Sequence, residues 1–233
     1  YASFPTKKVQ ELHSQVCSNH GYGQTETSAQ NDLVGGSHLQ VSTETVRSIS
    51  AHNRAGLGQP LGYLNASKSE KLNLQNSLAP AVAWQLCVAT SLRPSDYVGT
   101  LTIRNFSMQA KCAVFAEKVL DEGHIGRLVP ICPTLMKTLE GYGHHLSALS
   151  IDEKIPDYLK KAATLALSGD GPLFFSVGHG KTQPITCNDL SRRLPRTWKL
   201  PLNTFRHRLA SELRKKGCPG VYVEALLGHI EVG

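Results

Sequence analysis

The chain has 233 residues, 40% hydrophobic and 18% charged, enough to bury one substantial core, and it is neither disordered nor collagenous in composition. Its 25 Lys and Arg against 18 Asp and Glu leave a formal charge of +7, which favours a polyanionic partner. The longest apolar stretch, Leu78 to Ala89, contains Pro80 and Gln85 and falls short of the ~20 residues a membrane helix needs, so a membrane protein is not expected.

The chain opens on Tyr1 without a basic segment followed by an apolar run, and it reads as a cytoplasmic fragment without a secretory leader. Six scattered cysteines, none in a CxxC pair, are expected to be thiols. Residues 1–75 are rich in Ser, Gly, Asn, Gln and Thr and are read as an N-terminal extension, a linker or the remnant of another domain. Short helices near Lys8 to Asn19 and Thr43 to Asn53 are plausible there. Residues 76–233 are expected to form the main domain.

From Ser77 the apolar positions Leu78, Val82, Leu86 and Ala89 follow a helical spacing that ends near Leu92, before Pro94. Lys111 to Lys118 alternates, with Cys112, Val114 and Ala116 on one face, and Asp121-Glu122-Gly123 supplies a turn. Arg127 to Ile131 then returns as the partner strand, with Pro130 acceptable only at an edge. Helices are expected over Pro133 to His145, Pro156 to Leu167 and Asn188 to Leu194, with Leu173-Phe174-Phe175 as a short buried run. Asn203 is placed to cap a helix carrying Phe205, Leu209 and Leu213 at i, i+4 and i+8, which Gly217 ends, and Val221 to Leu227 makes two further turns before Gly228. The expected fold is mainly α with a small antiparallel β-sheet.

Charge is uneven along this chain. Residues 181–216 hold ten Lys and Arg against only Asp189 and Glu212, as expected of a stripe that grips phosphates. Lys181, Arg192, Arg193, Arg196, Lys199 and Arg208 are its candidate DNA contacts; a solvated helix face explains the same charges about as well. Other chemistries find little support. Gly178-His179-Gly180-Lys181-Thr182 lacks the earlier glycine of a phosphate loop, with Phe175 in its place. The histidines lack metal-ligand spacing, and no GxSxG occurs.

Four local contexts remain, in order: Leu92-Arg93-Pro94-Ser95-Asp96; Lys118 near the hairpin turn with Gly126-Arg127-Leu128-Val129-Pro130 after it; Leu173-Phe174-Phe175; and Asn203-Thr204-Phe205-Arg206-His207-Arg208-Leu209-Ala210 with Leu226-Leu227-Gly228-His229. Together they resemble the catalytic domain of the tyrosine recombinases, the phage-integrase family, whose fold is shared with type IB topoisomerases. The resemblance spans roughly residues 77–229. It implies a site-specific recombinase or integrase that cuts and rejoins double-stranded DNA through a 3′-phosphotyrosyl link, working in dimers or tetramers on DNA and needing no metal or cofactor. Arg93 and Arg206 would meet the charge on the non-bridging oxygens, a task suited to guanidiniums. Lys118, with Lys111 as rival, would protonate the departing 5′-oxygen, and His229 would donate a hydrogen bond to the phosphate or steady the tyrosine's surroundings. Two features depart from the family. Asn203 stands where it usually has His, and can donate a hydrogen bond but not carry a proton near neutrality. The nucleophilic Tyr, expected about ten residues beyond His229, lies outside a sequence that ends at Gly233. A DNA-binding relative without cleavage activity is the alternative. Each candidate also has an ordinary explanation: a pair with Asp96 for Arg93, a solvated face for Arg206, an edge charge for Lys118, a helix cap for Asn203 and a C-cap for His229.

Overall fold

A computed structural model describes residues 66–116, 126–192 and 203–228, together with the backbone of 119–120 and 123–124. The expected helices at Lys8 to Asn19 and Thr43 to Asn53 lie outside the described residues.

The central element is helix α1, Lys68–Thr90. Ser67 starts it with a capping box: its hydroxyl accepts from Glu70 N, and the Glu70 carboxylate accepts from Ser67 N at 2.6 Å. The Ser67 hydroxyl, donating to Glu70 Oε2 at 2.7 Å, and then the Ser67 backbone N–H hold the Glu70 carboxyl below its ordinary value. From Leu78 to Cys87 every residue is buried, the pattern of a helix enclosed on all sides rather than lying on a surface. Starting at Lys68, α1 runs through the boundary expected at residues 75 and 76. Its first turns look polar in sequence, yet Lys71 and Gln75 are buried and paired. Lys71 Nζ meets Asp152 Oδ2 at 2.5 Å, and Gln75 Nε2 donates to Phe175 O at 2.8 Å and to Tyr142 Oη at 3.2 Å. Buried polar groups with partners avoid the desolvation cost that would otherwise exclude them.

Strands β1 (Phe106–Ser107), β2 (Cys112–Phe115) and β5 (Arg127–Pro130) form a three-stranded antiparallel sheet in the order β1-β2-β5. Phe115 pairs with Arg127 and Cys112 with Pro130, so the proline stands on an edge strand as expected. The core-facing side of β2 is Ala113 and Phe115; Val114 is 46% exposed, so the face holding Val114 is the outer one. Between β2 and β5, β3 (Val119–Leu120) pairs with β4 (Gly123–His124).

Helices α2 (Pro133–Ile151) and α3 (Asp157–Ser168) follow. Leu173, Phe174 and Phe175 are buried as expected, and Phe175 opens a hairpin of β6 (Phe175–Gly178) and β7 (Lys181–Pro184). Its two turn residues, His179 and Gly180, both have positive φ, 50° and 76°, the backbone of the turn that best matches strand twist. The Gly-His-Gly stretch is therefore a tight turn. Asn76 zips α1 to this hairpin, accepting from Val177 N at 2.6 Å and donating to Val177 O at 2.9 Å. A Cβ on Gly99 would lie 2.2 Å from Ile185 O, so only glycine permits this approach of the two segments. Short helix α4, Cys187–Ser191, comes next.

The last two helices are α5 (Thr204–Lys215) and α6 (Gly220–Leu227). Leu209, Ala210, Leu213, Cys218, Val223, Leu226 and Leu227 form a small cluster apart from the main core. Gly217 and Gly228 end these helices with φ of 79° and 68°, the left-handed stops expected of them. The fold is thus mainly helical with small antiparallel sheets. Among the described residues no helix is long and apolar enough to cross a membrane, and the described cysteines are thiols, none in a disulfide.

Candidate functional site

Helix α1 ends at Ser91, a buried non-glycine residue in the left-handed conformation, with φ 57° and ψ 22°. A helix end leaves carbonyls without intrahelical partners and carries partial negative charge. Two buried guanidiniums satisfy it here. Arg127 Nη1 donates to Thr90 O at 3.1 Å and Nη2 to Ser91 O at 3.2 Å, while Arg206 Nη1 donates to Ser91 O at 2.6 Å. Both arginines also reach the end of α6: Arg127 donates to Leu226 O and Arg206 to Leu227 O. Two helix C-termini are thereby joined through two arginines, one from strand β5 and one from the first turn of α5.

At this junction the chain just before Arg93 meets Arg127, Arg206 and the Leu226-Leu227 end of α6. Arg93, half-buried, follows Ser91 by two residues. Tyr97 Oη accepts from Ala116 N at 2.7 Å, tying the turn after Arg93 to the end of β2, two residues before Lys118. The Arg127 guanidinium lies 5.5 Å from the centre of the Phe115 ring, a cation–π contact. The Asp96 carboxylate accepts from Cys187 N at 2.7 Å, and Cys187 Sγ contacts Pro94 O at 3.2 Å. Burial first, and the Asp96 charge second, push the Cys187 thiol up.

Arg206 is 5% exposed, so it belongs to the interior and not to a solvated face. Asn203 stands at the start of α5, exposed, with an αR backbone and no side-chain capping bond; the expected cap is absent, and its backbone is not the extended one that a capping residue usually has. Lys118 and His229 lie outside the described residues, as do Arg193, Arg196 and Lys199. Lys111 is exposed, with φ 52°, and precedes the end of β2 that pairs with Pro130. Phe115 and Arg127 mark the opposite end of that pair.

Part of the expected basic stripe is among the described residues. Lys181 and Arg192 are exposed, with Arg192 3.8 Å from Asp189. Arg208 is half-buried. Arg214 pairs with Glu224, and Lys215 with Glu212 at 3.1 Å. Arg127 escaped the sequence reading, although strand alternation places it on the same side as Val129, which is fully buried. Among the described residues no group of three or more His, Cys, Asp or Glu is arranged to hold a metal ion. Chemically, the junction concentrates fixed cationic donors in a region of low dielectric, where they act more strongly on an anion than in water. No known family model, curated protein or solved structure matches the chain.

Proposed function

We propose that this chain is the catalytic domain of a DNA strand-transferring enzyme of the tyrosine-recombinase kind, acting on double-stranded DNA as a multimer. The observation that carries the reading is the bond from Arg206 to Ser91 O, which joins positions 115 residues apart and brings the two arginine-bearing motifs of the resemblance to one place. A tyrosine oxygen beyond Gly233 attacks a backbone phosphorus as the bond from phosphorus to the 5′-oxygen breaks. The products are a 3′-phosphotyrosyl link and a 5′-hydroxyl, and the reverse reaction rejoins a strand. Arg93 and Arg206 neutralise the non-bridging oxygens, Lys118 gives its proton to the departing 5′-oxygen, and His229 bonds the phosphate. Lys181, Arg192, Arg193, Arg196, Lys199 and Arg208 contact the DNA backbone away from the reacting phosphate.

One observation favours the second reading, a DNA-binding relative without cleavage. Arg206 already gives donors to the carbonyls of Ser91 and Leu227, and Asn203 replaces a proton-carrying histidine. The test is incubation of the full-length protein with a pool of random-sequence duplexes, followed by denaturation in SDS. Adduct linked to 3′ ends supports the enzyme; duplex retention in native gels with no adduct supports the binding relative; absence of both adduct and duplex retention overturns both readings.

A further inference from the structure

Arg127 has no part in the chemistry proposed above, yet it touches three of the segments that lead to the proposed catalytic residues. Its guanidinium donates to Thr90 O and Ser91 O, just before Arg93. It lies over the ring of Phe115, three residues before Lys118. It also donates to Leu226 O, three residues before His229. Gly228 packs on the same side chain, so that a Cβ there would sit 3.1 Å from Arg127 Cδ. The side chain is 7% exposed, and its backbone is fixed by the pairing of Arg127 with Phe115. The α5–α6 pair has its own small apolar cluster, separate from the main core. Polar bonds from Arg127 and Arg206 tie that pair to the end of α1.

We propose that Arg127 is a positioning residue that fixes the end of α6 at Leu226, three residues before His229 in sequence, against the segment that carries Arg93. Only a planar fork of several donors serves carbonyls on two helix ends at once; a lysine ammonium keeps the charge but not that geometry. The inference rests on the enzyme reading for its consequence in catalysis, but its structural half stands independently.

The experiment compares full-length wild type with Arg127→Lys and Arg127→Gln. Cooperative thermal melts first establish that each variant folds. Amide hydrogen exchange of residues 221–228 is then expected to quicken by about tenfold or more, the effect of losing one charge-assisted hydrogen bond, with exchange in 78–89 and 135–149 unchanged. Covalent attachment to duplex DNA is expected to fall by a similar factor in Arg127→Lys while the dissociation constant for duplex stays as in wild type. Unchanged exchange at 221–228, an equal rise throughout the molecule, or failure of both variants to fold would each overturn the positioning role. If wild type binds duplexes without attaching to them, the enzyme reading fails, and the exchange result alone decides the role of Arg127.

Discussion

The carbonyl oxygen of Ser91 accepts hydrogen bonds from Arg206 Nη1 at 2.6 Å and Arg127 Nη2 at 3.2 Å. One helix-terminal carbonyl thus organises two buried guanidiniums. Such bonds are worth about 1.5–3 kcal/mol each when one partner is charged, and they offset the cost of holding cations away from water.

Ser91 itself is poorly suited to its place. A non-glycine residue in the left-handed region costs roughly 1 kcal/mol, and its buried hydroxyl has no hydrogen-bond partner among the described residues. Ser91→Gly removes both costs at the expense of greater freedom in the unfolded chain. Urea unfolding is expected to show Ser91→Gly more stable than wild type by about 1 kcal/mol, and more stable than Ser91→Ala, which loses only the hydroxyl. A less stable Ser91→Gly would contradict the conformation assigned here.

Stability is also expected to depend on pH through His145. Its Nε2 lies 3.0 Å from Gln75 Oε1, within the buried Gln75–Tyr142 network, and burial pushes its pKa down to about 4. Because the folded value lies below the ordinary ~6.5, the fold favours neutral imidazole; the stability this confers is present above pH ~6.5 and is lost as pH falls toward 4, roughly 3 kcal/mol in all. Asp152 acts lower. The hydrogen bond from Lys71 holds its carboxyl below its ordinary value of 3.8, so its contribution is present above that pH and is lost as pH falls below it. Melting temperatures of His145→Gln should be flatter than wild type between pH 6.5 and 4. Parallel profiles would remove His145 as the cause.

The choice between Lys118 and Lys111 is open to a chemical test. Lys111 stands at the Pro130 end of the β2–β5 pair, and Phe115 with Arg127 at the other; at ~3.3 Å per residue the four-residue step from Lys111 to Phe115 spans about 13 Å. Lys118 is therefore expected to be the general acid. Its replacement by Ala should slow attachment to ordinary DNA severely and be largely rescued by a 5′-bridging sulfur, since a thiolate leaves without a proton near neutrality. Rescue of Lys111→Ala instead would transfer the role.

Local signals in the sequence carry the helices well and the polar interior badly. Leu209, Leu213, Gly217 and Gly228 announce α5 and α6 because apolar spacing and glycine stops are short-range properties. The start of α1 at Lys68 is hidden because Lys71 and Gln75 look like surface residues until Asp152, Tyr142 and His145 are brought to them from far along the chain. On β2 the alternation separates Cys112, Val114 and Ala116 from Ala113 and Phe115 without saying which face is buried; Phe115 has the larger surface to bury, and Val114 is the exposed side. Arg206 stands out in its motif, whereas Arg127 is recognisable only once β5 shows which side faces inward. For the basic residues near the end of the chain, sequence gives a sum of charges, but folding decides that Arg206 is buried and that Arg214 and Lys215 pair with Glu224 and Glu212.

The central claim is that Arg93 and Arg206 meet the negative charge of the reacting phosphate, and it is tested most directly by removing that charge from the DNA. At the position where wild-type adduct maps, the phosphate is replaced by a neutral methylphosphonate, and covalent attachment is measured for full-length wild type, Arg93→Ala and Arg206→Ala. On ordinary DNA each variant is expected to lose ~10²–10³ in rate, the usual effect of removing one transition-state donor. On the methylphosphonate, where there is less charge to neutralise, the variants are expected to recover to within about tenfold of wild type. Equal impairment of a variant on both substrates, or undiminished attachment of that variant to ordinary DNA, would contradict its assignment.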